Sequence, residues 1–262
     1  MKFSESAPEV FIIPEQGFAA DGNKITKPGL KKPQRTYRSE ISYVGFNSEA
    51  EKQKYNIGSS IIEVLTSHND EMAVLNTSHF YVCETCGYAT VDKKSFTMIK
   101  KKQHTNAGGF PCGNSVLKRF SLGYRFFTDV VRIRFVDHEI NDYDAGMSIL
   151  HGLLRGISSY LNIEENDISG CLQSNPTGNG MDYSMVIFDN TPGGSGHAKR
   201  LNNPIVIEGV LNHTLNMIKG CTCGGDEGDS SCYSCLRSYK NQKYHDILKR
   251  KYVIEFLSDV LA

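Results

Sequence analysis

Four cysteines fall within fifteen residues near the C-terminal end, as Cys221-x-Cys223-x8-Cys232-x2-Cys235. This spacing constrains the chain more than any other feature. The residues between the pairs, GGDEGDSS, are Gly-rich and polar, so they can bend but have nothing to bury. Thiols acting only as small hydrophobes belong in an apolar core, not among Gly, Asp and Ser. A Zn2+ ion takes four soft ligands in a tetrahedron, and two close pairs on tight turns supply them with little chain to order. Metal binding is then what orders the loop. A redox role for the Cys232–Cys235 pair is the competing reading.

A second group is looser. Cys83-x2-Cys86 is followed by Gly87, and Cys112 sits in another Gly-bounded turn, GFPCGN. Three thiols leave one ligand to find. His104, in the loop that must fold back with Cys112, is preferred to His79 upstream of the first pair. Four protein ligands leave no open coordination position, so either zinc would be structural and not hydrolytic. Cys171 stands apart and reads as a buried core thiol. No signal-peptide pattern opens the chain, and no run approaches the length of a spanning helix. These point to a cytoplasmic protein without membrane contact, where eight cysteines are kept reduced.

The rest of the sequence predicts an α+β fold: a mixed sheet with packed helices and one or two zinc knuckles. Residues 1–36 read as an extended basic arm, and 37–262 as the zinc-binding domain, with knuckles at 79–115 and 220–237. SEISYVGF and SSIIEVLTS alternate like strands, and LGYRFFTDVVRIRFVD (122–137) reads as a central strand. Met147, Leu150, Leu154, Ile157 and Leu161 share one helical face behind an Asp142 or Asp144 cap. Ile207, Val210, Leu211, Leu215 and Ile218 repeat the pattern up to Gly220. A last helix is expected from about 243 to 261.

Between these helices, VIFDNTPGGSGHAKRL takes a strand into a glycine turn. Free N–H groups of Gly193, Gly194 and Ser195 are candidates for holding a phosphate, although the stretch matches no nucleotide-binding signature. His197 and Lys199 form an H-x-K pair, but the Asp that a phospholipase-D-type nuclease needs is Pro204. Lys+Arg and Asp+Glu balance at 29 each, so charge matters only locally. Arg237, Lys240, Lys243, Lys249, Arg250 and Lys251, interleaved with Tyr239 and Tyr244, are candidate DNA contacts. The competing reading is a solvated helix face. A cysteine pair just upstream would fix where the last helix starts and which way its bases point.

Taken together, F-x-IPEQGF, C-x2-C-G with a later His and Cys, SLGYRFFTDVVRIRF, FDNTPGGSGHAKRL, C-x-C…C-x2-C and NQKYHDILKR resemble the MrfA-type zinc-binding domain. That domain usually closes superfamily-2 DEAD/DEAH helicases and occurs in the helicase-partner subunit of the DISARM phage-defence system. The resemblance implies a zinc site at Cys221, Cys223, Cys232 and Cys235. It implies an extra finger at Cys83, Cys86, His104 and Cys112. It also implies a role on DNA, in repair or in restricting foreign DNA. The helicase cores normally upstream are not in this sequence. The expectation is therefore a non-catalytic DNA-binding or coupling subunit or piece that works with a helicase or ATPase subunit. The rivals are a nuclease or nucleotide-binding enzyme centred on Asp189, the PGGSG turn and His197, or a pure interaction scaffold.

Overall fold

The computed structural model describes residues 11–12, 39–43, 50–91, 97–178 and 180–262. Apart from Phe11–Ile12, the expected basic arm lies outside them. The described elements are nine strands and three α-helices, an α+β fold. The chain divides into two compact units. The smaller comprises Met1–Ser42 and Ala73–Arg125, the larger Tyr43–Met72 and Phe126–Ala262. Two long strands contribute to both: β4 (Ser60–Val82) and β7 (Val116–Phe135). The strand that SSIIEVLTS opens thus runs on to Val82.

In the larger unit, β3 (Glu51–Ile57) makes an antiparallel hairpin with β4. β9 (Gly180–Asp189) pairs antiparallel with β7 on one side and with β8 (Ile168–Thr177) on the other. Met185, Val186, Ile187 and Phe188 are all fully buried, so this strand is central and apolar on both faces. α1 (Tyr143–Leu161) packs on β8 and against α2 (Pro204–Lys219) and α3 (Arg250–Val260). Asp142 caps α1 by accepting from the Ala145 N–H at 2.7 Å, and Asn203 caps α2 through Ile205 at 2.9 Å. The predicted apolar stripes of α1 and α2 enter one core with β7, β8 and β9.

α3 begins at Arg250, not near 243 as the sequence suggests. Asn241 causes the difference. Its side chain accepts from the Ser238 N–H at 2.7 Å and donates to the Leu236 carbonyl at 2.8 Å. His245 closes on the same side chain at 3.0 Å. These bonds hold 238–245 in a compact turn that leaves a single 3-10 turn, Gln242–Tyr244, in place of helix.

In the smaller unit, β5 (Ala89–Val91) returns along β4, and β6 (Ile99–Lys101) pairs with β7. β1 (Phe11–Ile12) lies parallel to β7 at Ser121–Leu122, and β2 (Ser39–Tyr43) pairs with β4. Tyr81, Cys83, Cys112 and Leu117 are buried together, so the first cysteine group is also part of a small core.

The tightest helix contact is at Gly156 on α1. A Cβ there would lie 1.8 Å from the Thr214 Oγ1 of α2, whose hydroxyl donates to the Val210 carbonyl at 2.7 Å. Gly156→Ala should therefore destabilise the protein by ~1–3 kcal/mol in denaturant unfolding. Adding Thr214→Ala, which removes the nearest clashing atom, should recover part of that stability. Strictly additive effects would show that the two helices do not meet there.

Candidate metal centres

The second cysteine group is built by the end of α2 and the turn before α3. α2 stops at Gly220, which delivers Cys221 at its exit. Gly224 follows Cys223 with φ +77°, and a Cβ there would sit 2.7 Å from the Ser230 N–H, so the loop doubles back in a way only glycine permits. The sulfurs come together with Cys221–Cys223 at 3.5 Å, Cys221–Cys232 at 3.6 Å, Cys223–Cys235 at 3.5 Å and Cys232–Cys235 at 3.8 Å. A Zn–S bond of about 2.3 Å in a regular tetrahedron puts sulfurs about 3.8 Å apart. Four soft donors on those edges fit Zn2+ without rearrangement.

Backbone groups favour the thiolate at Cys232, while burial raises the thiols of Cys223 and Cys235. Burial raises the Cys232 thiol, but the Ser234 N–H and the neighbouring sulfurs outweigh it and bring it down to about 6. The Ser234 N–H lies 3.3 Å from the Cys232 sulfur, and the Cys232 N–H lies 3.1 Å from that of Cys235.

This loop also makes the start of α3. Lys249 gives that helix no side-chain cap. Instead, the Arg250 N–H donates to the Ser230 carbonyl at 3.1 Å and the Lys251 N–H to the Gly228 carbonyl at 3.0 Å. The Arg250 guanidinium reaches back to the carbonyls of Gly225 (2.7 Å), Cys223 (3.2 Å) and Ile218 (3.4 Å). Arg237 does the same from the other side, donating to Ser231 Oγ at 3.0 Å and to the His245 carbonyl at 3.1 Å.

The six basic candidates thus separate. Arg250 is 5% exposed and turned inward, because the carbonyls of the cysteine loop need donors. Arg237 is likewise committed to the loop. Lys249 and Lys251 both pair with the exposed Asp229, at 3.6 and 2.5 Å. Lys243 lies 4.6 Å from the Tyr244 ring centroid. Lys240 is exposed beside Tyr239, which is 85% exposed. In sequence the two arginines read as surface charge, and their part as staples is missed. The proximity of two arginines to a carbonyl-rich polar loop is the signal that could have found it.

The first group lies in the smaller unit. Cys83 follows the end of β4, and its carbonyl accepts the Gly87 N–H at 2.9 Å to close the Cys83–Cys86 turn. The Cys112 N–H donates to the His104 carbonyl at 3.0 Å, which brings the far side of the hairpin over. His104 Nδ1 lies 3.0 Å from the Lys102 carbonyl, so Nε2 is left to face the thiols, 3.1 Å from Cys86. The ring stacks on Tyr88 at 4.6 Å between centroids. Cys83 and Cys112 sulfurs are 4.0 Å apart, and all four ligand atoms lie within 4.8 Å of one another. Burial raises the Cys83 thiol, yet the N–H groups of Cys86 and Thr85 prevail and hold it at about 6. His79, the competing fourth ligand, is instead 3.0 Å from Ser121 Oγ. A Cys3His set fits Zn2+ as a closed structural site.

The glycine turn has no vacancy for a phosphate. Asp189, fully buried at the end of β9, accepts the N–H groups of Ser195 (2.7 Å), Gly196 (2.6 Å) and Ala198 (2.8 Å). Gly193 donates to Phe127 and Gly194 to Thr191. The anion-binding ring exists, but the chain's own carboxylate fills it. Asp189 is in turn too committed to serve as the base of a nuclease or the anchor of a nucleotide. Lys199 is engaged by Asp129 and His68, at 3.3 and 2.8 Å.

Two outcomes follow. Cys232→Ser and Cys83→Ser should each lower the zinc content by about one equivalent, read by elemental analysis. Absence of both equivalents from either variant would mean that the two groups do not act independently. Asp189→Asn should cost ~2 kcal/mol or more in thermal unfolding, since one acceptor oxygen becomes a donor facing buried N–H groups. A change within error would show the turn to be held by other means.

Residues 149–236 match the model of the MrfA Zn-binding domain, a stretch that includes the second cysteine group and not the first. The Druantia protein DruE of Escherichia coli (strain UMEA 4076-1) is 22% identical over 93% of this chain. The chain spans only 14% of that relative. Among solved structures, the DUF1998 helicase MrfA bound to DNA matches 86% of the chain at 14% identity, with a TM-score of 0.46, and the chain spans 25% of it. The same helicase bound to DNA and AMPPNP matches with a TM-score of 0.35 at 10% identity, over 85% of this chain and 22% of that one. Among the described residues no helix is long and apolar enough to cross a membrane. From within α1 to just past the fourth thiol of the tetrad, this chain is similar to the MrfA Zn-binding domain.

Proposed function

We propose that this chain is a non-catalytic, zinc-stabilised DNA-binding or coupling module that acts with a superfamily-2 helicase, in phage defence or DNA repair. In this reading Cys221, Cys223, Cys232 and Cys235 hold one Zn2+, and Cys83, Cys86, His104 and Cys112 hold another. Each ion closes a polar loop and leaves no open position for catalysis. The observation that carries the reading is the coupling of the four-cysteine set to α3. That set lies within the matched domain, and its loop carbonyls cap the last helix. Zinc there sets the pose of everything from 236 to 260.

What the four-cysteine zinc poses is a short basic and aromatic segment. Tyr239, Lys240 and Lys243 sit on the turn that Asn241 fixes, with two lysines and two tyrosines within six residues. Phosphate neutralisation needs local cations, not net charge, and exposed tyrosine stacks on unpaired bases. Lys249 and Lys251 are partly neutralised by Asp229 and contribute less.

Lys240→Glu with Lys243→Glu should weaken binding of single-stranded DNA and lower the salt slope by about one for each phosphate no longer neutralised, with zinc content unchanged, by fluorescence anisotropy across salt concentrations. Lys249→Glu with Lys251→Glu should have the smaller effect. Equal affinity for all variants, or no DNA affinity at any salt, would reject the DNA role and leave a protein-only coupling surface.

A further inference from the structure

α1 and the turn after Cys235 enclose a cleft of about 190 Å³ in the larger unit. Its apolar lining comes from Leu154, Ile168 and Leu236. Tyr239 and Lys240 line it too, and Tyr239 is almost wholly exposed. His151 faces the cleft from α1 with a buried Nε2 that has no hydrogen-bond partner. Among the described residues it is the one such buried atom in the lining. Ser169, Ser238 and Asn166 line the same space. Asn241, by contrast, is committed to Ser238, Leu236 and His245.

These groups choose among ligands. A buried imidazole nitrogen without a partner is costly, so an apolar occupant would leave that cost standing. A cation would meet Arg155 and Lys240. A free anion would meet Lys240, but the Arg155 guanidinium already donates to the Tyr233 carbonyl at 2.7 Å with Glu165 beside it at 3.8 Å. Burial, then Lys243 and His245, push His151 down to about 4, so it presents a neutral ring at ordinary pH. What remains is a flat, uncharged group with apolar faces and a hydrogen-bonding edge.

We propose that this cleft receives a single unstacked nucleobase of a DNA strand. His151, Asn166, Ser169 and Ser238 meet its edge, Tyr239 lies against its face, and Lys240 takes the adjoining phosphate. The proposal deepens the DNA reading above and rests on it.

The zinc-loaded full chain would be titrated with thymidine monophosphate, deoxyadenosine monophosphate and the base-free deoxyribose 5-phosphate, following the His151 and Tyr239 ring resonances by NMR. Both nucleotides should shift these resonances, and the base-free sugar phosphate should not. Tyr239→Ala, at an exposed position, should weaken nucleotide binding about tenfold. His151→Leu should weaken it comparably while Tyr239 still folds and reports. Equal shifts from the base-free compound would make the cleft a phosphate site and overturn the proposal, as would silence with all three ligands. If single-stranded DNA binds in a salt-dependent way but neither variant changes that affinity or the resonances, the cleft fails and the DNA reading stands. If no DNA binds, the DNA reading fails, and the nucleotide titration still judges the cleft.

Discussion

The larger unit depends on carbonyl groups that a polar loop cannot satisfy alone. Residues 221–235 contribute almost nothing to a hydrophobic core beyond their thiols, yet their carbonyls are where α3 begins. Arg250 and the backbone N–H groups of 250 and 251 complete them. A guanidinium buried this way would be unfavourable if the loop were disordered, because its donors would have no acceptors. The loop in turn lacks apolar contacts to order it, which leaves the thiolate centre as the source of order. Loop and helix start form one hydrogen-bonded element, and a metal held by the four thiols would order both.

Much of this is legible in sequence, for identifiable reasons. The helices at 143–161 and 204–219 announce themselves through an apolar stripe bounded by Asp142 and Asn203 at one end and, for the second, Gly220 at the other. The thiol tetrad is legible because Cys spacing and loop polarity leave few alternatives. His104 can be favoured over His79 by loop position alone, and its Nδ1 contact with the Lys102 carbonyl gives the physical basis of that choice. The length of β4 is harder to read, since the polar run at 67–71 looks like a break and is carried within one continuous strand.

The failures share one cause: polar side chains committed to partners elsewhere in the chain. Arg250 and Lys251 are adjacent bases, but one is buried against carbonyls and the other pairs with Asp229. Asn241 breaks an otherwise helical period through two hydrogen bonds that no periodicity reveals. The Gly193–Ser195 turn looks receptive because sequence shows its N–H groups and hides their acceptors. In each case the local pattern is sound and a polar contact outside it decides the outcome.

The carboxylate of Asp189 has an implication for how such turns diversify. The ring of backbone donors at 195–198 has the right polarity to hold an external anion, and one side chain stands in for it. Shortening that side chain to glycine would convert an internal brace into a receptor, so that formate or acetate in the buffer would restore the missing thermal stability. A scaffold and a small-molecule sensor would then be one codon apart on the same backbone.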